Sequence, residues 1–158
     1  MRKFYESDSD RENESAFMEE LSKIWKCRYM KMAPRFHLDY FLFRERKGMA
    51  FLEFKKRANP KTQYPTIMFE ICKRTAALDY IGATGLPTFF VAQWSDSTGY
   101  INISSEAPDH VDWGGRTDRN DSADTGPMLH YRVDRFIAIG RSTQTDPDPH
   151  TNQPRSNQ

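Results

Sequence analysis

Apolar residues recur along this chain in two periods. Between residues 10 and 27, Phe17, Leu21, Ile24 and Trp25, with Met18 beside them, fall three and four apart, the spacing of one buried helical stripe. Glu14 extends that stripe by one turn, so its carboxylate is expected to face whatever the helix packs on; a favourable place at the helix dipole explains it equally well. Residues 28–35 form a basic connection with room for a short strand, and Pro34 argues against a helix running on into residue 36 and beyond. Two short apolar runs, 36–43 and 49–56, are then joined by a charged, glycine-ended segment, 44–48, which reads as a β-hairpin.

The spacing predicts a second helix over 66–83. Ile67, Phe69, Ile71, Ala76, Ala77, Leu78 and Ile81 give it a broad apolar face, and Gly82 and Gly85 mark its end. Residues 86–94 are almost continuously apolar, as in a strand covered on both faces. A turn at 95–99 leads to a short strand, 100–103. Residues 104–127 read as a loop, in which the aspartates of 113–124 alternate with Arg116 and Arg119; those arginines suit either a phosphate clamp or an internal ion-pair network. Residues 128–139 read as a final strand pair or an arm packing back. With no apolar residue to anchor it, 141–158 is expected to be disordered, leaving 1–140 as a single α/β (α+β) domain.

Charge sharpens this picture. The net charge of +1 hides a segregation: residues 1–22 carry −4, residues 23–74 carry +10 and residues 75–158 carry −5. A polyanion such as DNA is the natural partner of the central block, although basic residues also solubilise an aromatic-rich segment. Cys27 and Cys72 lie far apart and the four histidines share no ligand spacing, so a zinc site is not indicated. No run approaches the length of a membrane span and the N-terminus lacks a signal-peptide core, so the expected compartment is the cytoplasm, that of the host cell if the chain is phage-encoded.

The candidate chemistry lies in the hairpin. Side chains alternate along a strand, so Phe51, Glu53 and Lys55 share a face, and a turn centred on Arg46 puts Asp39 directly opposite Glu53. Cross-strand partners are about 5 Å apart at Cβ. Two carboxylates and an ammonium at one spot suit a hard divalent cation with a lysine beside it; a cross-strand salt bridge on a solvated face is the plainer alternative. Lys73, within the second helix, either reaches that spot or snorkels to water. Lys56, Arg57 and Lys61 begin a loop rich in turn formers, placed to follow a phosphate strand or simply to cover the surface.

A helix with an inward Glu, a hairpin carrying Asp and then Glu-x-Lys, a helix, an apolar strand and a short edge strand resemble the PD-(D/E)xK nuclease superfamily over residues 10–103, above all small phage-type nucleases and Holliday-junction resolvases. The resemblance implies the restriction-endonuclease-like αβββαβ core, with a central mixed sheet flanked by helices. It assigns Asp39 as the motif aspartate, although Leu38 stands where proline often precedes it. Glu53 and Lys55 become the Glu-x-Lys pair, Glu14 the helical glutamate, and Lys73 the polar residue of the second helix.

It further implies Mg²⁺- or Mn²⁺-dependent hydrolysis of DNA. Asp39, Glu53 and the Phe54 backbone carbonyl would ligate the metal, with Glu14 holding a ligated water or a second ion, Lys55 serving the attacking water, and Lys56, Arg57, Lys61 and Lys73 contacting DNA. Branched repair or recombination DNA is the substrate such relatives suggest, and a homodimer is compatible with it, though no stretch specifies an interface. A catalytically inactive DNA-binding or host-interaction protein of the same fold, or a structural phage protein, is the alternative.

Overall fold

The protein is described by a computed structural model over residues 8–115 and 125–140; Arg116, Arg119 and the tail 141–158 lie outside the described residues. Helix α1, Asp8–Ile24, buries Phe17, Met18 and Leu21, and Trp25 follows them into the same layer. The carbonyls just past its end are not left bare: Arg44 donates to Lys26 O and Trp25 O, each at 2.8 Å. No helix among the described residues is long and apolar enough to cross a membrane.

Strands β1 (Arg28–Lys31), β2 (Tyr40–Arg44), β3 (Lys47–Lys56), β5 (Thr88–Gln93), β6 (Thr98–Asn102) and β9 (Ile137–Ala138) form one six-stranded sheet, in the order β1-β2-β3-β5-β6-β9. Only β3 and β5 run parallel, so the sheet is mixed. One face, with Tyr40, Leu42, Ala50, Leu52, Phe89 and Val91, packs against α1. The other carries Phe90 and Ala92 against a second layer, made of helix α2 (Ile71–Thr84) and a three-stranded sheet. That sheet consists of β4 (Thr66–Glu70), β8 (Thr125–Arg132) and β7 (His110–Gly115), in that order. Sandwiched between layers, β5 is buried at every position from Thr88 to Ala92, as a continuous apolar run requires.

Three expectations need correction. The helix predicted over 66–83 begins only at Ile71, because 66–70 form β4, with Ile67 and Phe69 buried and the residues between them partly exposed. That period of two merges with the helical stripe after it, and the partner that decides it, β8, arrives some sixty residues later. The helix end does lie where the glycines place it: Gly85 is left-handed at φ 73° and its N–H returns to Ile81 O at 2.8 Å. Within the predicted loop 104–127, residues 110–115 form the edge strand β7, whose mostly exposed residues lack an apolar alternation to signal it.

The hairpin differs in its turn. Its two central residues are Glu45 and Arg46, both left-handed at φ 47° and 67°, and not a loop centred on Arg46. Arg44 pairs with Lys47 and Phe43 with Gly48, and a register shift then puts Leu42 opposite Ala50 and Tyr40 opposite Leu52. The shift adds the one residue that the tighter turn removes. Continued by one position, this register still puts Asp39 opposite Glu53.

Candidate active site

Asp39 and Glu53 meet where β2 begins and the face of β3 turns toward the second layer. The carboxyls of Asp39 and Glu53 share one face of the sheet, close enough that the charge of Asp39 acts on Glu53. Asp39 Oδ2 accepts the Phe54 N–H at 2.9 Å, and Asp39's own N–H reaches Leu52 O at 3.1 Å, so the aspartate is fixed to the strand that carries the glutamate. Phe51 and Arg57 direct their N–H groups to Pro87 O and Gln93 O, on the side of β5. By alternation, the polar backbone groups of Phe54 face the opposite edge, beside Asp39.

Glu53 is 4% exposed, and its Oε2 is buried with no hydrogen-bond donor. Burial raises its pKa well above the ordinary carboxylate range; the charge of Asp39 adds to this, and Lys73 opposes it. Lys73, in the first turn of α2, places its ammonium on Glu53 Oε1. Burial works against the Lys73 ammonium, but Glu53 and Asp39 outweigh it and hold its pKa above the usual value.

Lys55 goes elsewhere. Its Nζ donates to Met68 O on β4 at 3.1 Å, and desolvation, with Arg57 adding repulsion, lowers its pKa to about 8. Glu14 lies on the α1 side of the sheet: its Oε1 accepts from Tyr40 OH at 2.5 Å and from Lys31 Nζ at 3.1 Å. Tyr40's pKa is raised by burial first, then by that bond and the charges of Glu14 and Asp39. The structure therefore brings Asp39, Glu53 and Lys73 together, sets Lys55 one contact away on the same face, and leaves Glu14 behind Tyr40. Among the described residues no three acidic, histidine or cysteine side chains converge as a metal cluster.

The donor chemistry nonetheless fits a hard divalent cation. Two neighbouring carboxyls, one of them with a buried oxygen lacking any donor, call for a shared proton or a cation, and the Phe54 carbonyl faces that same edge. Of the other basic positions, Lys56 is exposed, Arg57 is half-buried, and Lys61 lies 5.5 Å over the Trp94 ring. Two residues of the site, Tyr40 and Glu70, escape sequence reasoning. Tyr40 looks like an ordinary inward strand residue, and Glu70, whose charge acts on both Lys55 and Lys73, sits at a strand–helix junction that the spacing alone makes mid-helix.

The family described as "Phage putative PDDEXK endonuclease" matches residues 1–139. Among solved structures, the fold is similar to that of Hjc from Archaeoglobus fulgidus, a Holliday junction resolvase from an archaeal hyperthermophile. The TM-score is 0.51 at 11% identity, over 79% of this chain and 90% of that one. No curated protein matches in sequence.

Proposed function

The chain belongs to this phage PDDEXK endonuclease family, and from that premise we propose that it is a divalent-metal-dependent DNA endonuclease whose site is built on Asp39 and Glu53. The observation that carries the reading is the buried, donor-less Oε2 of Glu53, on a carboxyl that also feels the charge of Asp39. Asp39, Glu53 and the Phe54 carbonyl would hold Mg²⁺ or Mn²⁺, which when bound supplies the charge that polarises the scissile phosphate and acidifies a water.

The chain's own groups do the rest. The Phe54 N–H orients Asp39, Lys73 balances the charge of Glu53 from α2, and Lys55, with a pKa of about 8, holds an ammonium whose proton is available near neutral pH. Glu14, held by Tyr40 and Lys31, would act from the far side of β2 on a water or second ion. Lys56, Arg57 and Lys61 would track the phosphate strand leaving the site. Branched DNA is the substrate we propose, supported by the fold shared with the resolvase, and assembly as a homodimer in the host cytoplasm belongs to the same proposal.

The test is incubation of the purified chain and of Glu53→Ala with circular duplex, linear duplex and four-way junction DNA, in Mg²⁺, Mn²⁺ or chelator. Metal-dependent cleavage of circular DNA that disappears in the variant is the expected result. Binding without cleavage is the competing reading, favoured by one observation: Lys55 rests on the Met68 carbonyl and not on the carboxyls. It requires affinity for DNA that neither chelator nor Asp39→Asn alters.

A further inference from the structure

The segment between β1 and β2 is a short, pinned loop that ends on Asp39. Its base is closed by Met32 N–H to Asp39 O at 2.8 Å, and Phe36 N–H returns to Ala33 O at 2.8 Å, making a tight turn over Pro34 and Arg35. Leu38, 2% exposed, anchors the loop in the core. What the loop presents outward is Arg35, Phe36 and His37, all exposed, and none of the three side chains makes a hydrogen bond, ion pair or ring contact with another described residue.

Phe36 is 49% exposed although the chain buries most of its other phenylalanines. A single exposed apolar residue needs no explanation by itself. Here, however, a proline and a backbone hydrogen bond fix the turn that carries the ring, Arg35 and His37 flank it, and only two residues, roughly 10 Å of chain from Cα to Cα, separate it from Asp39. Exposed Lys56 adds another cation two residues beyond Phe54, whose N–H meets Asp39. An aromatic face near the exposed charges of Arg35 and Lys56 fits one kind of ligand well. A nucleobase has a π-face to stack and a phosphate on either side to meet the cations.

We propose that the loop carrying Arg35, Phe36 and His37 is a base-stacking platform that captures an unpaired base next to the scissile phosphate, so that the protein prefers DNA with unstacked bases over continuous duplex. The inference rests on the reading of this chain as a DNA nuclease and names the feature of DNA that the site selects. Arg35 and His37 contact the flanking phosphates, while Phe36 supplies the contact that a fully paired duplex cannot offer.

The test uses the full chain in chelator, so that binding is read without cleavage. Affinities of the natural chain, Phe36→Ala and Phe36→Tyr are measured for a duplex with an unpaired-base bulge and for the same duplex fully paired. One base–aromatic stack corresponds to about a tenfold change in affinity. Phe36→Ala is expected to lose about tenfold on bulged DNA and under twofold on paired DNA, with Phe36→Tyr restoring the preference and melting temperatures unchanged. Photocrosslinking with 5-iodouracil at the bulge is expected to attach to residue 36.

Equal affinity of Phe36→Ala and the natural chain for bulged DNA, equal loss on both DNAs, or attachment elsewhere overturns the inference. The cleavage assay separates it from the nuclease reading. Cleavage with no effect of Phe36 sinks the platform alone, whereas a Phe36-dependent preference without any cleavage sinks the nuclease alone.

Discussion

Lys55 Nζ donates to the backbone carbonyl of Met68, 3.1 Å away across the two layers, and not to Glu53, which precedes it on the same strand face. A partly buried ammonium held by one neutral carbonyl is poorly compensated, and desolvation, with repulsion from Arg57, lowers its pKa to about 8 from 10.5. Between pH 8 and 10.5 the unfolded chain still holds a proton that the folded chain has released, so folding gains stability as pH rises through that window. The shift corresponds to about 3 kcal/mol, absent below pH 8 and complete above 10.5. Lys55→Met is therefore expected to be more stable than the natural chain at pH 7, with the advantage shrinking toward pH 10, and to lose cleavage. Urea melts at both pH values check this, and a variant less stable at pH 7 contradicts it.

Glu53 has the opposite character. Its raised pKa means that protons compete with a divalent cation for the carboxyl pair, so ion affinity should climb as pH rises above the ordinary carboxylate range. Calorimetric titration with Mn²⁺ is expected to give tighter binding at pH 7.5 than at 5.5. In Glu53→Gln both the affinity and its pH dependence should largely disappear.

The apposition of Asp39 and Glu53 was legible in the sequence because strand alternation and a single turn suffice to predict it, and two deviations from the simple hairpin cancel. The turn is one residue tighter than symmetry about Arg46 assumes, and the irregularity between Leu42 and Phe43 returns that residue. The partner of each lysine was not legible. Lys55 finds Met68 only because 66–70 are a strand, which β8 decides from far along the chain, and Lys73 reaches Glu53 because that same strand starts α2 at Ile71. Glu14 shows the limit of a periodicity argument: the stripe specifies that it meets the sheet, but Tyr40 and Lys31 determine which side of β2 it serves.

The hairpin turn carries a removable strain. Glu45 and Arg46 both adopt left-handed backbone, which asparagine and glycine tolerate far better. Replacing the pair by Asn-Gly is expected to stabilise the protein by about 1–2 kcal/mol without altering cleavage. Gly48, although it closes the charged segment, is constrained by packing. A Cβ there would lie 2.8 Å from both Leu86 Cδ1 and Phe41 Cζ, so Gly48→Ala should destabilise by about 1 kcal/mol. Thermal melts of the two variants should move in opposite directions.

Lys73 is the cation that now neutralises Glu53, and a divalent ion bound to the same carboxyls would take over part of that duty. Lys73→Met removes the ammonium and leaves the buried Glu53 beside Asp39, at a cost of about 2 kcal/mol near pH 7.5. Because the pKa of Glu53 is raised, the folded state holds its proton more tightly than the unfolded state does, so stability falls as pH rises through the interval between the two values. Without Lys73 to oppose the shift, that fall should steepen, and the loss should be largely recovered near pH 5. Saturating Mn²⁺ supplies the missing charge to the folded state only, so the Mn²⁺-induced rise in melting temperature should be larger in Lys73→Met than in the natural chain. An equal rise in both proteins would mean that Lys73 and the ion do not share the Glu53 carboxyl.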